Sequence, residues 1–148
     1  MKNALVAKDN FKAMDDYLAQ TSLLMFRKCS KKYDTIIKDI DKFNERIHEI
    51  SYRIFLLRMG NPQDFIKNRQ KCEEEELNFF KDYGISEEDE ELFRCLFFHH
   101  YLLRLALIFK VTNDRSLFKT IEKELIEHRE LNKEILRPIE KELGLDLP

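Results

Sequence analysis

The feature that most constrains the fold is a stretch of about fifty residues, 9–59, that contains no glycine and no proline. These residues are the strongest helix breakers, so a run of this length without them favours one long helix. Over its second half, apolar residues recur at alternating steps of three and four, which keeps one apolar seam along a helix and is typical of a coiled coil. The seam comprises Tyr33, Ile36, Ile40, Phe43, Ile47, Ile50, Ile54 and Leu57.

The register of this pattern changes near Ser30. The steps from Met25 to Cys29 and from Cys29 to Tyr33 are both four, which is a stutter in the heptad repeat. One alternative is a single helix of roughly 75 Å, which would need a partner along its length. The other is a break or kink near Ser30, although the segment lacks the Gly, Pro or Asn that usually mark a reversal. The sequence leaves both alternatives open.

The rest of the chain predicts further helices joined by short connections. Turn formers are scarce, with three glycines and three prolines, and β-branched residues other than isoleucine are few. An N-terminal helix cap is predicted at Asp9 or Asn10, and the first helical stretch is predicted to end at Gly60. A capping box is predicted from Ser86 to Asp89, and Pro138 is predicted to kink or restart the last helix. Short connections force antiparallel neighbours. The sequence therefore predicts an all-α, antiparallel up-down helical bundle in one domain, 1–148, with four helices, or five if the first one divides.

Composition excludes several classes of function. Charged residues make up 36% of the chain and nearly balance at a net charge of -2, which argues against general nucleic-acid binding and against a polybasic membrane anchor. The most apolar run, residues 95–109, is short for a bilayer and is interrupted by histidines and an arginine, so no membrane span is predicted. Three widely spaced cysteines, Cys29, Cys72 and Cys95, are expected as buried thiols in a reducing compartment. We expect a cytoplasmic protein.

Two groups of residues are candidates for an interaction surface. Tyr52, Phe55, Leu56 and Met59 add apolar side chains outside the seam, so this end of the helix is expected to be buried on several sides or to form an interface. A basic cluster lies near the possible break and comprises Arg27, Lys28, Lys31 and Lys32. Four cations in a balanced chain are usually a solvated face, but they also suit an acidic partner.

Two histidines are expected to point inward. His99 shares a helix face with leucines, and His128 occupies a seam position of the last helix together with Asn132. A pair of inward histidines can bind a metal or cofactor inside a helical bundle. The alternative is structural: a buried neutral histidine that hydrogen-bonds Asn132, a carbonyl oxygen or a tyrosine and fixes helix register. Among the carboxylate and histidine spacings of di-iron bundles only Glu45 to His48 matches, and both lie off the seam, so no metal site is predicted.

The spacing of Arg94 and His99 is similar to the Arg-x4-6-His pattern of HEPN ribonucleases, which are small all-α dimers. The resemblance implies RNA cleavage that uses these two residues. Because the pattern fixes only two positions, a chain of this composition matches it about once by chance.

Motifs of other chemistries are absent from the sequence: it has no glycine-rich phosphate loop, no Cys-x-x-Cys, and no nucleophile placed by a turn. We therefore expect a non-catalytic regulator, adaptor or assembly subunit with no cofactor, which binds a protein partner and forms a homo-oligomer. A core ligand site near His99 and His128 is the second hypothesis, and HEPN-like cleavage is the third.

Overall fold

The computed structural model describes residues 11–145 and residue 147. These residues form six α-helices and one 3₁₀ turn, and the described part of the chain contains no strand. The helices are α1 (Phe11–Lys32), α2 (Ile40–Met59), α3 (Phe65–Asp82), α4 (Glu87–Thr112), α5 (Arg115–Leu131) and α6 (Lys133–Glu142), and the 3₁₀ turn is Pro62–Asp64. The prediction of an all-α protein is confirmed. The cap predicted at Asp9 or Asn10 lies outside the described residues.

The helix predicted over residues 9–59 is divided, and the division falls at residues 33–39 rather than at Ser30. Ser30 lies inside α1, where its hydroxyl donates a hydrogen bond to the carbonyl oxygen of Arg27. A single continuous helix is therefore wrong, and the predicted break lies a few residues too early. A second division, between α5 and α6, gives six helices where the sequence predicted four or five.

Local capping explains the restart of the helix after the break. The Asp39 carboxylate accepts a hydrogen bond from the backbone N–H of Lys42 at 3.1 Å, which satisfies one of the donors left open at a helix start. Of the seam residues, Tyr33 is buried, but the next two, Ile36 and Ile40, are exposed, whereas Phe43 and Ile47 are fully buried. The regular seam therefore begins inside α2, and the continuous coiled-coil seam predicted from Tyr33 onward is interrupted.

The described residues form two compact units. The terminal unit contains the residues up to Met25 and those from Leu102 onward, and the central unit is Phe26–Tyr101. Helices α1 and α4 contribute residues to both units.

An aromatic cluster forms the core of the central unit. Phe79 of α3 lies 5.4 Å from Phe43 of α2, 5.5 Å from Phe93 and 5.3 Å from Phe97 of α4, measured between ring centroids. All four side chains are fully buried. Tilted and edge-on ring contacts at these distances add to the stabilisation from buried apolar area.

The predicted turn at Gly60 is confirmed. The Gly60 N–H donates to the carbonyl oxygen of Leu56 at 3.0 Å, and a Cβ at Gly60 would lie 2.2 Å from that oxygen, so only glycine fits this close approach. Asn61 then accepts a hydrogen bond from Gln63 N–H, and Pro62 begins the 3₁₀ turn that leads into α3. This turn brings α2 and α3 into extensive contact.

The terminal unit contains a buried ionic group that the sequence did not predict. The guanidinium of Arg129 on α5 donates two hydrogen bonds to the carboxylate of Glu140 on α6, each of 2.9 Å. The hydroxyl of Tyr17 on α1 donates a third to the same carboxylate. Burial opposes ionisation of Glu140, but these hydrogen bonds outweigh it and hold the pKa of Glu140 below its ordinary value.

The last helix divides at Asn132, not at Pro138. Asn132 lies between α5 and α6, and Pro138 lies inside α6, so the predicted restart at the proline is wrong. Gly144 follows the end of the helix with a positive φ of 73°, a backbone conformation that favours glycine. The Leu145 N–H donates to the carbonyl oxygen of Glu140 at 2.9 Å and closes this end.

Candidate interaction surface

The predicted apolar surface at the end of α2 lies in the central unit and is partly open to solvent. Tyr52 and Met59 are exposed, whereas Phe55 and Leu56 are half-buried. These four residues follow the spacing of one helix face over two turns. The rings of Tyr52 and Phe55 stack at a centroid distance of 6.3 Å with an interplanar angle of 18°. We call these four residues the α2 patch.

Cations lie beside the α2 patch and contact neighbouring helices. The guanidinium of Arg58 lies 5.1 Å from the centroid of the Phe98 ring on α4. Arg53 donates to Glu75 of α3 at 3.1 Å. An apolar centre beside charged residues resembles the core and rim of protein interfaces.

The predicted basic cluster covers the last turns of α1. All four side chains, Arg27, Lys28, Lys31 and Lys32, are exposed. Lys32 is engaged within the chain: its ammonium lies 2.8 Å from the carboxylate of Asp89, and this hydrogen bond raises the pKa of Lys32. This part of the predicted surface is therefore partly neutralised by the start of α4.

Asp89 forms a small polar centre where α1 ends and α4 begins. It accepts hydrogen bonds from Lys32, from the hydroxyl of Tyr33 and from the hydroxyl of Ser86. Burial works against its ionisation, but these donors outweigh it and lower the pKa of Asp89. The sequence expected Ser86 and Asp89 to form a capping box, and the structure adds two donors from the end of α1 to that pair.

Arginines neutralise most of the four-glutamate run of α3. Glu73 accepts from Arg69, and Glu75 accepts from Arg53. Glu76 accepts from Arg94 at 2.6 Å. Within the described residues, Lys32 of the basic cluster meets Glu88 and Asp89 of α4 rather than this run.

Three large apolar side chains of α3 are exposed, which the sequence did not predict. Phe65, Ile66 and Leu77 are 47%, 72% and 63% exposed. The side that packs on the core carries Cys72 and Phe79 instead. The sequence does contain an indication that Ile66 and Leu77 face solvent, because charged residues lie on the same face of the helix.

Both candidate core histidines are buried, as predicted, but they belong to different units. His99 is fully buried in the central unit, and His128 is buried in the terminal unit. The amide nitrogen of Asn132 lies 3.1 Å from Nδ1 of His128 and also donates to the His128 carbonyl oxygen. Asn132 is one of the partners that the structural interpretation of His128 predicted. Within the described residues, no three His, Cys, Asp or Glu side chains converge in a way that would hold a metal ion.

The guanidinium of Arg94 forms hydrogen bonds with carboxylates of its own chain. It donates to Glu76, Glu90 and Glu91 and lies 5.2 Å from the centroid of the Phe80 ring. Desolvation opposes its charge, but the hydrogen bonds to glutamates raise the pKa of Arg94 above its ordinary value. His99 is fully buried. His99 is therefore not accessible to a polymer such as RNA, and Arg94, whose side chain is 37% exposed, is engaged by three carboxylates.

The three cysteines are buried and free, as the sequence predicted. Burial raises the pKa of the Cys72 thiol to about 11 and the pKa of Cys29 and Cys95 to about 12. None of them is an activated nucleophile, because the reactive thiolate is disfavoured at neutral pH.

An open cleft lies beside the start of α2. It has mixed charge and a volume of about 470 Å³, and its lining residues are Ile36, Lys38, Asp39, Lys42, Arg46, Asp82 and Tyr83. The ion pair between Arg46 and Asp82, at 3.0 Å, occupies one wall. Neither of the predicted ligand residues, His99 and His128, lines this cleft.

Helix α4 is the one described helix that is long and apolar enough to cross a membrane. The most apolar window of this helix is 56% buried inside the structure. Core helices of globular proteins have the same properties, so the absence of a membrane span stays a prediction.

Comparison with known proteins gives no relative: no protein-family model, no curated protein and no solved structure matches this chain.

Proposed function

We propose that this chain is a non-catalytic helical-bundle protein that acts through protein–protein association as a regulator, adaptor or assembly subunit. The observation that carries the proposal is a set of exposed apolar side chains on α2 and α3 of the central unit. Five large apolar residues between positions 52 and 77 are more than a third exposed, and they are Tyr52, Met59, Phe65, Ile66 and Leu77. Clusters of exposed apolar side chains on a protein surface mark sites of protein–protein association.

The proposal includes a protein partner and self-association into a homo-oligomer. The α2 patch supplies apolar contact area, and the exposed cations Arg27 and Lys31 supply local positive charge for acidic groups of a partner. The proposal also includes an antiparallel up-down arrangement of the helices, which the short connections between them support. A cytoplasmic location, with neither general nucleic-acid binding nor a membrane span, belongs to the same proposal and rests on the composition.

The test is light scattering after size-exclusion chromatography at micromolar concentration. We expect the unmodified protein to elute with a mass above that of one chain. The double variant Met59→Asp, Leu77→Asp should shift to the monomer, because it places one charge in the α2 patch and one among the exposed apolar side chains of α3.

The matched control is Leu131→Asp, which changes a highly exposed leucine of the terminal unit (84% exposed). It should keep the oligomeric mass of the unmodified protein. A monomeric unmodified protein overturns self-association, and equal effects of the double variant and the control overturn the assignment of the surface to the central unit.

A further inference from the structure

We propose that the outer face of α3 binds a second copy of this chain as an antiparallel helix pair with two-fold symmetry. The face consists of Ile66, Gln70, Glu73 and Leu77, with Lys67 and Glu74 along one side, and we call it the α3 face. This inference rests on the proposed function, because it names the surface and the partner for self-association.

The apolar residues of the α3 face lie at its two ends. Ile66 and Leu77 are eleven residues apart, so their side chains point within about 20° of each other and are separated by about 16 Å along the helix. In an antiparallel pair, Ile66 of each copy meets Leu77 of the other, and the contact forms twice. Both side chains are more than 60% exposed in the single chain, 72% for Ile66 and 63% for Leu77, so the pairing removes a large apolar area from water.

The middle of the α3 face is polar and also self-complementary. The midpoint between Gln70 and Glu73 along the helix is the same as the midpoint between Ile66 and Leu77. An antiparallel pair therefore places the Gln70 amide of one copy opposite the Glu73 carboxylate of the other. The amide N–H then donates to the carboxylate. A parallel pair would instead face Glu73 with Glu73, and like charges at such a position are destabilising.

Two charges beside the α3 face have no ion partner in the described part of the chain. These are Lys67 and Glu74, whereas neighbouring Arg69, Glu75 and Glu76 each form an ion pair. Lys67 and Glu74 are seven residues apart and lie on the same side of the face. An antiparallel pair brings Lys67 of each copy to Glu74 of the other, which is the flanking arrangement that sets partner and orientation in coiled coils.

The expected dimer is weak. A standard interface buries roughly 800 Å² on each partner, and three turns of one helix offer less than that. We therefore expect a dissociation constant in the micromolar range, and a dimer that weakens as added salt screens its flanking charges.

Charge reversal tests the proposal directly, and sedimentation velocity is the readout. Lys67→Glu alone places two glutamates together twice, since the new carboxylate of each copy faces Glu74 of the other. Glu74→Lys alone places two lysines together twice. Each single variant should raise the dissociation constant about 10- to 30-fold. The double variant Lys67→Glu, Glu74→Lys should restore the affinity of the unmodified protein. An equimolar mixture of the two single variants should form a heterodimer, because every flanking pair is then attractive.

Lys119→Glu is the matched charge control, because Lys119 is exposed on α5 and its reversal should leave the dimer unchanged. Ile66→Asp should abolish the dimer, and Leu131→Asp should not. Circular dichroism should show the same helix content for all variants, since every changed side chain is exposed.

The outcomes separate the two proposals. If the unmodified protein is an oligomer but neither single charge reversal weakens it, the α3 face is wrong and self-association stands on another surface. If the unmodified protein is a monomer at every concentration, both self-association and the α3 face are wrong. Loss of the dimer in each single variant, with recovery in the double variant and in the mixture, establishes the antiparallel pair.

Discussion

The hydroxyl of Tyr33 donates a hydrogen bond of 2.5 Å to the carboxylate of Asp89, which lies 56 positions further along the chain. The same hydroxyl accepts a hydrogen bond from the backbone N–H of Ser86 at 3.0 Å. Tyr33 is the first residue after α1, so this contact anchors the end of α1 to the start of α4. It accompanies the break in a stretch whose sequence favours a continuous helix.

Tyr33→Phe should therefore lower the free energy of unfolding. The variant removes a buried donor to a charged carboxylate, and we expect a loss of about 1–2 kcal/mol, measured by urea denaturation. Tyr83→Phe is the control, because Tyr83 packs its ring on Phe43 and Phe79 of the same core. Equal losses in the two variants would contradict a specific role for the Tyr33 hydroxyl.

The buried pair of Arg129 and Glu140 should be costly to break. Arg129→Met removes the bidentate partner of the buried Glu140 carboxylate and leaves it with the Tyr17 hydroxyl and with Arg137, whose guanidinium lies 3.3 Å away. We expect a loss of about 3 kcal/mol in unfolding free energy. The double variant Arg129→Met, Glu140→Leu should lose less than the single variant, because no buried charge is then left unpaired.

An exposed ion pair provides the comparison for this prediction. Lys12 lies 2.6 Å from Asp16 on the surface of α1. Lys12→Met should leave the free energy of unfolding nearly unchanged, because water and salt screen an ion pair on the surface. A loss in Arg129→Met no larger than the loss in Lys12→Met would contradict the structural role of the buried pair.

Stability should fall in acid. The folded-state pKa values of Glu140 and Asp89 lie below their ordinary values of 4.5 and 3.8, so the unfolded chain binds more protons than the folded chain in this range. The stabilisation from both groups is fully present above about pH 5 and is lost as the pH falls through the folded-state values. Thermal melting between about pH 3 and pH 7 measures the effect. Glu140→Gln should have a shallower dependence on pH, and an unchanged slope would contradict the assignment.

The three thiols should be protected in the folded protein. Because burial raises the pKa of Cys29, Cys72 and Cys95 and hides their sulfur atoms, a thiol reagent at about pH 8 should react slowly with the native chain. In guanidinium chloride all three should react quickly. Rapid labelling of one thiol in the native protein would show that its helix opens readily.

The sequence predicted the features that depend on short-range chemistry. The helical class follows from composition and periodicity. The turn follows from the glycine at position 60, and the structure shows that only glycine fits there. The burial of His99 and His128 follows from their helix faces. Each of these depends on residues within a few turns of one another.

Features that depend on distant contacts could not be predicted in the same way. The break at residues 33–39 coincides with the contact of Tyr33 with Asp89, and no local breaker marks it. The ionic group of Tyr17, Arg129 and Glu140 joins three helices whose pairing the sequence does not specify. The exposure of Ile66 depends on which side of α3 packs on the core. The four consecutive glutamates of this helix, residues 73–76, cover a whole turn and leave that side ambiguous in the sequence.

The most direct test of the central claim is sedimentation equilibrium of the unmodified chain over a wide range of concentration. If the protein acts through association and pairs with itself, its apparent mass should rise with concentration from 17.9 kDa, the mass of one chain, towards twice that value. A mass that stays at 17.9 kDa up to several hundred micromolar would contradict self-association.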